Sequence, residues 1–152
     1  MIVPTEITNE YNRILPFLEK LKQDMDSILR KIADSLFGLY FSRIKSLESF
    51  TQKLEGGKFD PEKIIDLFGA TIVVPTTKEI TLAEQRISSQ FKIHRKIENR
   101  EKAPEEFIYD DLHLYISFNP TVELPGKEYL KRKFELQIKT FLQYSWDKAT
   151  HD

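Results

Sequence analysis

Apolar residues in the first quarter of the chain recur every three or four positions, from about Ile7 to Ser35. Such a stripe is typical of a helix that packs one face against other elements. Pro16 interrupts the pattern, and proline breaks the helical hydrogen-bond ladder. The spacing therefore predicts a short helix followed by a long one, which together support a sheet. The stripe contains Ile14, Phe17, Leu18, Leu21, Met25, Ile28, Leu29, Ile32 and Leu36.

Beyond residue 38 the pattern changes to short β-type segments that alternate with helical ones. The predicted strands are Leu39–Lys45, Ala70–Val74, Phe91–Ile97, Leu112–Phe118 and Phe134–Lys139. The predicted helices are Leu47–Leu54, which ends at Gly56 and Gly57, then Lys78–Phe91 and Thr140–His151. This order predicts an α+β (mixed α/β) fold with a mixed sheet of about five strands and helices packed on it.

The length of 152 residues fits one domain, with N-terminal helices over residues 1–38 and an α/β core over 39–152. Two polar segments that contain proline, Glu98–Asp111 and Pro120–Lys131, are predicted as loops. The chain ends inside its last motif, as expected of a domain excised from a longer protein.

Composition narrows the classes of function. The net charge of −1 argues against a general nucleic-acid or membrane-surface binder, so any anion site must be local. The absence of cysteine excludes disulfides, thiolate metal sites and cysteine nucleophiles. The N-terminus lacks the apolar run of a signal peptide, and we expect no membrane span and a cytoplasmic location.

Basic residues cluster at the end of the first predicted strand. Arg43 and Lys45 are two residues apart and would share one face of that strand. Ser49 and Lys53 are four apart and would share one face of the next helix. A cationic pair followed by a hydroxyl and helix N-terminal amides outlines a phosphate site. A solvated charged face would explain the same residues.

Two acidic residues belong to the predicted sheet region, one shortly before a strand and one within a strand. Asp66 precedes the β-branched run that follows Gly69, where it could hold magnesium or simply form a turn. Glu135 alternates with Phe134 and Leu136, so it would face a cleft or solvent while they face the core. The same alternation continues with Gln137 and Lys139 on the polar face.

Taken together, these segments resemble the RelA/SpoT nucleotide pyrophosphokinase domain, which is nucleotidyltransferase-like. The segments SRIKSLESFTQKL, DLFGATIVV, IYDDLHLYI and ELQIKTFLQYSWDKATHD follow the order of the family patterns. Those patterns are R-x-K-x3-S-x3-K, D-x-x-G-x-R-I, G-Y-x-S-x-H, E-x-Q-I-R-T and W-x3-E-H. The resemblance extends from about Tyr40 to the last residue.

The resemblance implies an ATP-dependent enzyme that moves pyrophosphate to the 3′-hydroxyl of a guanine nucleotide, GDP or GTP, with Mg²⁺ as cofactor. On the donor side, Arg43 would stack against adenine. The donor phosphates would be held by Lys45, Ser49 and Lys53. The catalytic magnesium ligands would be Asp66 and Glu135, and Glu135 would also help to activate the hydroxyl. On the acceptor side, the base would stack on Tyr109, with His113 and Gln137 in support.

The chain also departs from the family patterns. Thr71 replaces an arginine, which removes one face of the adenine site, so we expect Thr71→Arg to strengthen ATP binding. Ile108 and Asp111 replace glycine and serine around the acceptor tyrosine. The loop APEEFIYDD is acidic where basic residues are usual, so we expect it to repel an acceptor that carries a free triphosphate. Thr150 replaces the closing glutamate, although Trp146 and His151 remain.

These departures leave other interpretations open. The same chemistry could serve another acceptor, such as an adenine nucleotide or a tRNA 3′ end, as in toxin members of the family. A degenerate nucleotide-binding module without turnover is a third interpretation. The sequence also leaves open a homo-oligomer and an antitoxin partner.

Overall fold

The computed structural model describes residues 3–55, 67–99, 111–118 and 128–151. These form four α-helices, five strands and one short 3-10 helix. The helices are α1 (Thr5–Ser35), α2 (Leu47–Glu55), α3 (Thr77–Gln90) and α4 (Phe141–His151), and the 3-10 helix spans Glu128–Lys131. The strands are β1 (Leu39–Ile44), β2 (Phe68–Val74), β3 (Phe91–Asn99), β4 (Asp111–Phe118) and β5 (Phe134–Thr140).

The strands form one mixed sheet in the order β1-β2-β5-β4-β3, as the predicted fold class requires. β2 and β5 are parallel, and the other three pairs are antiparallel. Since β1 and β3 are the edge strands, β2 and β5 occupy the centre with β4. The polar residues of β5 therefore lie in the middle of the sheet.

The core lies on one face of this sheet, under α1 and α3. Phe134, Leu136 and Ile138 of β5 are fully buried there, which confirms the alternation predicted for this strand. The aromatic rings of Phe68 and Phe134 pack at 5.1 Å. The opposite face stays open except where α4 crosses it, and this open face carries the polar residues of β5.

The predicted pair of N-terminal helices is wrong, because α1 is one continuous helix of 31 residues that contains Pro16. Pro16 and Asn12 are both exposed, so water can satisfy the Asn12 carbonyl that proline leaves without a helical donor. The buried stripe, from Ile14 to Leu36, packs on both sides of the proline and holds the helix together. Phe17 departs from the stripe and is half-exposed.

Smaller differences concern the ends of elements. β1 ends at Ile44 instead of Lys45, and β3 continues to Asn99. The last four residues of the second predicted loop form the 3-10 helix, whose Tyr129 hydroxyl donates to Asp24 of α1 at 2.7 Å. The rest of that loop, residues 100–110 and Gly56–Gly57 lie outside the described residues. Within the described part of the chain, no helix combines the length and apolar character that crossing a membrane would need.

Candidate active site

Arg43 and Glu135 lie in the same row of the sheet, with Gly69 between them. In the register, Arg43 of β1 pairs with Gly69 of β2, and Gly69 pairs with Glu135 of β5. A Cβ atom built on Gly69 would meet no atom within 4 Å, so it would project into open space. The glycine therefore leaves an unfilled space between the Arg43 guanidinium and the Glu135 carboxylate, where a ligand can approach the backbone closely.

The Glu135 carboxylate is fixed by two neighbours on the open face. Its Oε1 atom lies 2.9 Å from Nδ1 of His113 and accepts a hydrogen bond from Nε2 of Gln137 at 3.1 Å. Gln137 and His113 are themselves paired across β5 and β4. Three residues that the sequence assigned to the site are therefore in direct contact.

His113 is held from its other side by Asp111, whose Oδ1 atom lies 3.1 Å from Nε2. Hydrogen bonds to Asp111 and Glu135 raise the pKa of His113 to about 9, against the opposing effect of burial. The imidazole is therefore protonated at neutral pH and donates to a carboxylate from each ring nitrogen. All three side chains are about four-fifths buried. Their charged hydrogen bonds are therefore stronger than the same bonds would be in water.

This contact changes the interpretation of Asp111. From sequence it belonged to an acidic loop expected to repel an acceptor triphosphate. In the structure it forms an ion pair with His113, which it shares with Glu135. The other acidic residues of that loop, Glu105, Glu106 and Asp110, lie outside the described residues.

A cavity of about 480 Å³ opens above this row of residues. It brings together the predicted donor residue Arg43, the predicted catalytic Glu135 and the predicted acceptor residue Gln137. The lining also includes Phe41, Ser42, Gly69, Ala70, Thr71, Lys139, Tyr144, Asp147 and Lys148.

The sequence had suggested no functional role for seven of these lining residues, which are Phe41, Ser42, Ala70, Lys139, Tyr144, Asp147 and Lys148. Phe41 could have been found from the alternation of β1, because it lies two residues before Arg43 and on the same face. Lys139 shared the predicted polar face of β5, but its ion pair with Asp147 at 2.7 Å joins β5 to α4. Tyr144 and Lys148 reach the cavity only because α4 crosses the open face, and no local pattern reports that crossing.

The other predicted donor residues, Lys45, Ser49 and Lys53, do not line this cavity. Lys45 lies on the connection from β1 to α2. The backbone of Lys45 is fixed on both sides, by a hydrogen bond from its N–H to the Leu67 carbonyl (2.7 Å) and by one from the Tyr11 hydroxyl to its own carbonyl (2.7 Å). Since β1 ends one residue earlier, strand geometry does not set the direction of the Lys45 side chain. Ser49 and Lys53 lie on α2 as predicted.

The predicted contribution of helix amides is reduced in the structure. Ser46 caps α2, because its Oγ atom accepts the Ser49 N–H at 3.2 Å and donates to the Ser49 hydroxyl at 3.1 Å. The first turn also contains the acidic Glu48. A phosphate at this end of α2 would therefore depend mainly on the side chains of Lys45, Ser49 and Lys53.

Some predicted features cannot be placed. Asp66 and Tyr109 lie outside the described residues, as does the side chain of His151. Thr150, which replaces the family's closing glutamate, donates to the Trp146 carbonyl at 2.8 Å within α4.

The carboxylate oxygens of Glu135 are donor atoms of the kind that bind magnesium. Among the described residues, no group of three His, Cys, Asp or Glu side chains could hold a metal. Magnesium needs no such group, because it is usually held by one or two carboxylates together with substrate phosphates. Glu135 lies beside the unfilled space above Gly69 and is suited to be one of these carboxylates.

Comparison with known proteins identifies the family and the fold. Residues 42–152 match the family described as the region found in RelA / SpoT proteins. The chain belongs to the RelA/SpoT family. The matched region includes every cavity residue except Phe41 and covers more than two thirds of the chain. No curated protein sequence matches it.

Two of the solved structures that share this fold are bacterial proteins. The small alarmone synthetase 1 of Bacillus subtilis, bound to its product pppGpp, superposes with a TM-score of 0.75 at 16% identity, over 94% of this chain and 80% of that one. The protein smu.1046c of Streptococcus mutans has a TM-score of 0.72 at 16% identity, over 92% and 75%. These likenesses establish the fold of this RelA/SpoT domain.

A third similar structure is a type VI effector. Tas1, in complex with its immunity protein, has a TM-score of 0.59 at 22% identity, over 92% of this chain and 64% of that one. The RelA/SpoT fold therefore occurs in a secretion effector as well as in alarmone synthetases.

Proposed function

We propose that this chain is an ATP-dependent pyrophosphokinase that transfers the β,γ-pyrophosphate of ATP to the 3′-hydroxyl of GDP or GTP. The product would be a (p)ppGpp alarmone. The observation that carries the proposal is the Glu135 carboxylate, which His113 and Gln137 fix at the floor of a cavity that also contains Arg43. Phosphoryl-type transfer depends on positioning and charge neutralisation more than on covalent chemistry.

The donor would lie on the β1 side of the cavity, toward the connection that leads to α2. Arg43 would stack on the base, and its position beside the unfilled space above Gly69 leaves room for a planar ligand. The donor phosphates would be bound by Lys45, Ser49 and Lys53. Asp66 and Glu135 would hold Mg²⁺, which when bound neutralises charge on the transferring group.

The acceptor would lie on the β4 side, supported by His113 and Gln137, with its base on Tyr109. Its 3′-oxygen attacks the β-phosphorus, the bond from that phosphorus to the α,β-bridging oxygen breaks, and AMP leaves. Glu135 would accept the hydrogen bond of the attacking hydroxyl. The contact with His113 sets the direction of that carboxylate before substrate arrives, which reduces the reorganisation needed in the transition state.

Two observations support a guanine acceptor. The fold is that of a synthetase whose crystal structure contains pppGpp. Asp111, one of the acidic residues that argued against a triphosphate acceptor, is engaged in an ion pair with His113. ATP and guanine nucleotides are cytoplasmic metabolites, and we place the activity there.

The test is product analysis with ATP labelled in its γ-phosphate and magnesium, offered GDP, GTP, adenine nucleotides and tRNA in parallel. We expect labelled guanosine products and unlabelled AMP in equal amounts. Label in an adenine nucleotide or in tRNA would keep the chemistry and overturn the acceptor. ATP binding without transfer to any acceptor would indicate the non-catalytic alternative.

A further inference from the structure

Two aromatic side chains form one wall of the cavity, although neither is a residue of the family patterns. Phe41 of β1 and Tyr144 of α4 stack with ring centroids 5.5 Å apart and planes only 8° from parallel. Phe41 is 44% exposed, so its ring is accessible from the cavity. An exposed aromatic wall in a polar cavity is suited to a flat ligand with its own π-system.

Tyr144 is held in place from two sides. Phe41 stacks on it, and the Nζ atom of Lys148 lies 5.8 Å from the ring centroid, within the range of a cation–π contact. The helix beneath is tied to β5 by the ion pair of Lys139 and Asp147. The ring is therefore set before a ligand binds, so little rotamer entropy is lost on binding.

The spacing along β1 matches the thickness of a stacked base. Phe41 and Arg43 alternate with core-facing residues, so both point to the open face, and two residues of strand span about 6.6 Å. A flat ring in van der Waals contact on both sides needs roughly 3.5 Å each way, or about 7 Å in all. A base can therefore lie between the guanidinium of Arg43 and the aromatic wall.

The neighbouring residue on β2 leaves this space open. Thr71 pairs with Phe41 in the register and lines the same cavity. Its short side chain cannot cover a base, whereas the aromatic pair lies directly beside it. The position at which the family pattern has an arginine is therefore next to a different planar surface in this chain.

We propose that Phe41, backed by the ring of Tyr144, forms the second face of the site for the adenine of ATP, opposite Arg43. This inference rests on the proposed function, and it assigns the donor base to an aromatic wall that spans β1 and α4. Because stacking accepts any base, the wall supplies affinity for the base, and the phosphate-binding residues supply the rest.

Calorimetry on four alanine variants tests the proposal, with a non-hydrolysable ATP analogue and magnesium. Phe41→Ala should weaken binding about tenfold, within the range expected for loss of one stacking partner. Tyr144→Ala should weaken binding by a smaller factor, because it removes the ring that fixes Phe41 and not the ring that contacts the base. The matched controls are Leu39→Ala on the same strand and Leu142→Ala on the same helix. Both residues are at least half-exposed, and neither lines the cavity. Their dissociation constants should stay within twofold of the wild type.

Inorganic tripolyphosphate, which has no base, separates stacking from damage to the site. We expect the two aromatic variants to bind it as the wild type does, and Tyr144→Phe to retain full affinity for the ATP analogue. Equal weakening of tripolyphosphate and of the analogue would overturn the proposal, as would unchanged binding of the analogue. A larger loss for GDP than for the analogue would overturn the assignment to the donor base.

Measurements on the wild type distinguish failure of the aromatic adenine site from failure of the proposed function. Binding of the ATP analogue by the wild type, unaffected by Phe41→Ala and Tyr144→Ala, would overturn the aromatic site and leave the proposed function standing. No binding of the analogue and no transfer by the wild type would overturn both.

Discussion

His113 Nδ1 lies 2.9 Å from Oε1 of Glu135, and its other nitrogen lies 3.1 Å from Asp111. We predict that His113→Ala lowers kcat for pyrophosphate transfer by about 10- to 100-fold, the usual effect of removing a group that orients a ligand side chain. The reason is that Glu135 would lose the donor that fixes its Oε1 atom from β4. Steady-state kinetics with saturating ATP and GDP measures the change.

His94→Ala is the control for that variant. His94 lies on β3 and contacts the Ser117 hydroxyl at 2.8 Å, away from the cavity lining. We expect its kcat to stay within twofold of the wild type. A folded His113→Ala protein with wild-type kcat would mean that His113 does not position Glu135.

Asp26 joins α1 to β1 on the core side of the sheet. Its carboxylate accepts hydrogen bonds from Lys22, Tyr40 and Ser42, each at 2.6 Å. Burial raises the pKa of Asp26, but these hydrogen bonds outweigh burial and leave the pKa below its usual value. We predict that Asp26→Asn lowers the free energy of unfolding by about 1–3 kcal/mol at pH 7.

The pH dependence of that loss follows from the depressed pKa. A carboxylate with a lowered folded pKa contributes its stability above the unfolded value near 3.9, and loses it as pH falls through the folded pKa. Urea unfolding of both proteins should therefore converge below about pH 4. Asp34→Asn, on the exposed face of α1, should match the wild type throughout. A gap that stays constant down to pH 2.5 would contradict the assignment.

Phe37 follows α1 with a φ of 58°, the left-handed conformation that glycine adopts most easily at this position. Its side chain is 86% exposed, so little packing would be lost on replacement. We predict that Phe37→Gly raises the free energy of unfolding by about 1 kcal/mol. Phe37→Ala should give no such gain, because alanine retains the backbone strain, and equal effects of the two changes would refute this explanation.

Thr71→Arg is the variant for which the structure changes the expectation from sequence. The family pattern alone favoured stronger ATP binding, because an arginine would restore a second planar face. Since Phe41 lies beside Thr71 in the register, the aromatic wall already supplies that face, and a long side chain would compete for it. We predict no gain in the affinity for an ATP analogue by calorimetry. A tenfold gain would show that the wall does not contact the base.

The sequence predicted what depends on local alternation and on motif order. The two faces of β5 follow directly from its period of two, which placed Glu135 and Gln137 opposite the buried Phe134. The split at Pro16 was wrong because propensity ignores the packing of α1 on the sheet. Contacts between distant segments, such as Phe41 with Tyr144, depend on where α4 crosses the sheet, which no local pattern encodes.

The central claim is that Glu135 makes this domain a pyrophosphokinase. The most direct measurement compares wild type with Glu135→Gln for transfer of γ-label from ATP to GDP, with magnesium present and folding checked by thermal unfolding. We predict labelled guanosine product from the wild type and a loss of at least about 100-fold in the variant, or about 2.7 kcal/mol in the barrier. A folded Glu135→Gln protein that keeps more than about a tenth of wild-type turnover, a loss under roughly 1.4 kcal/mol, would contradict the account.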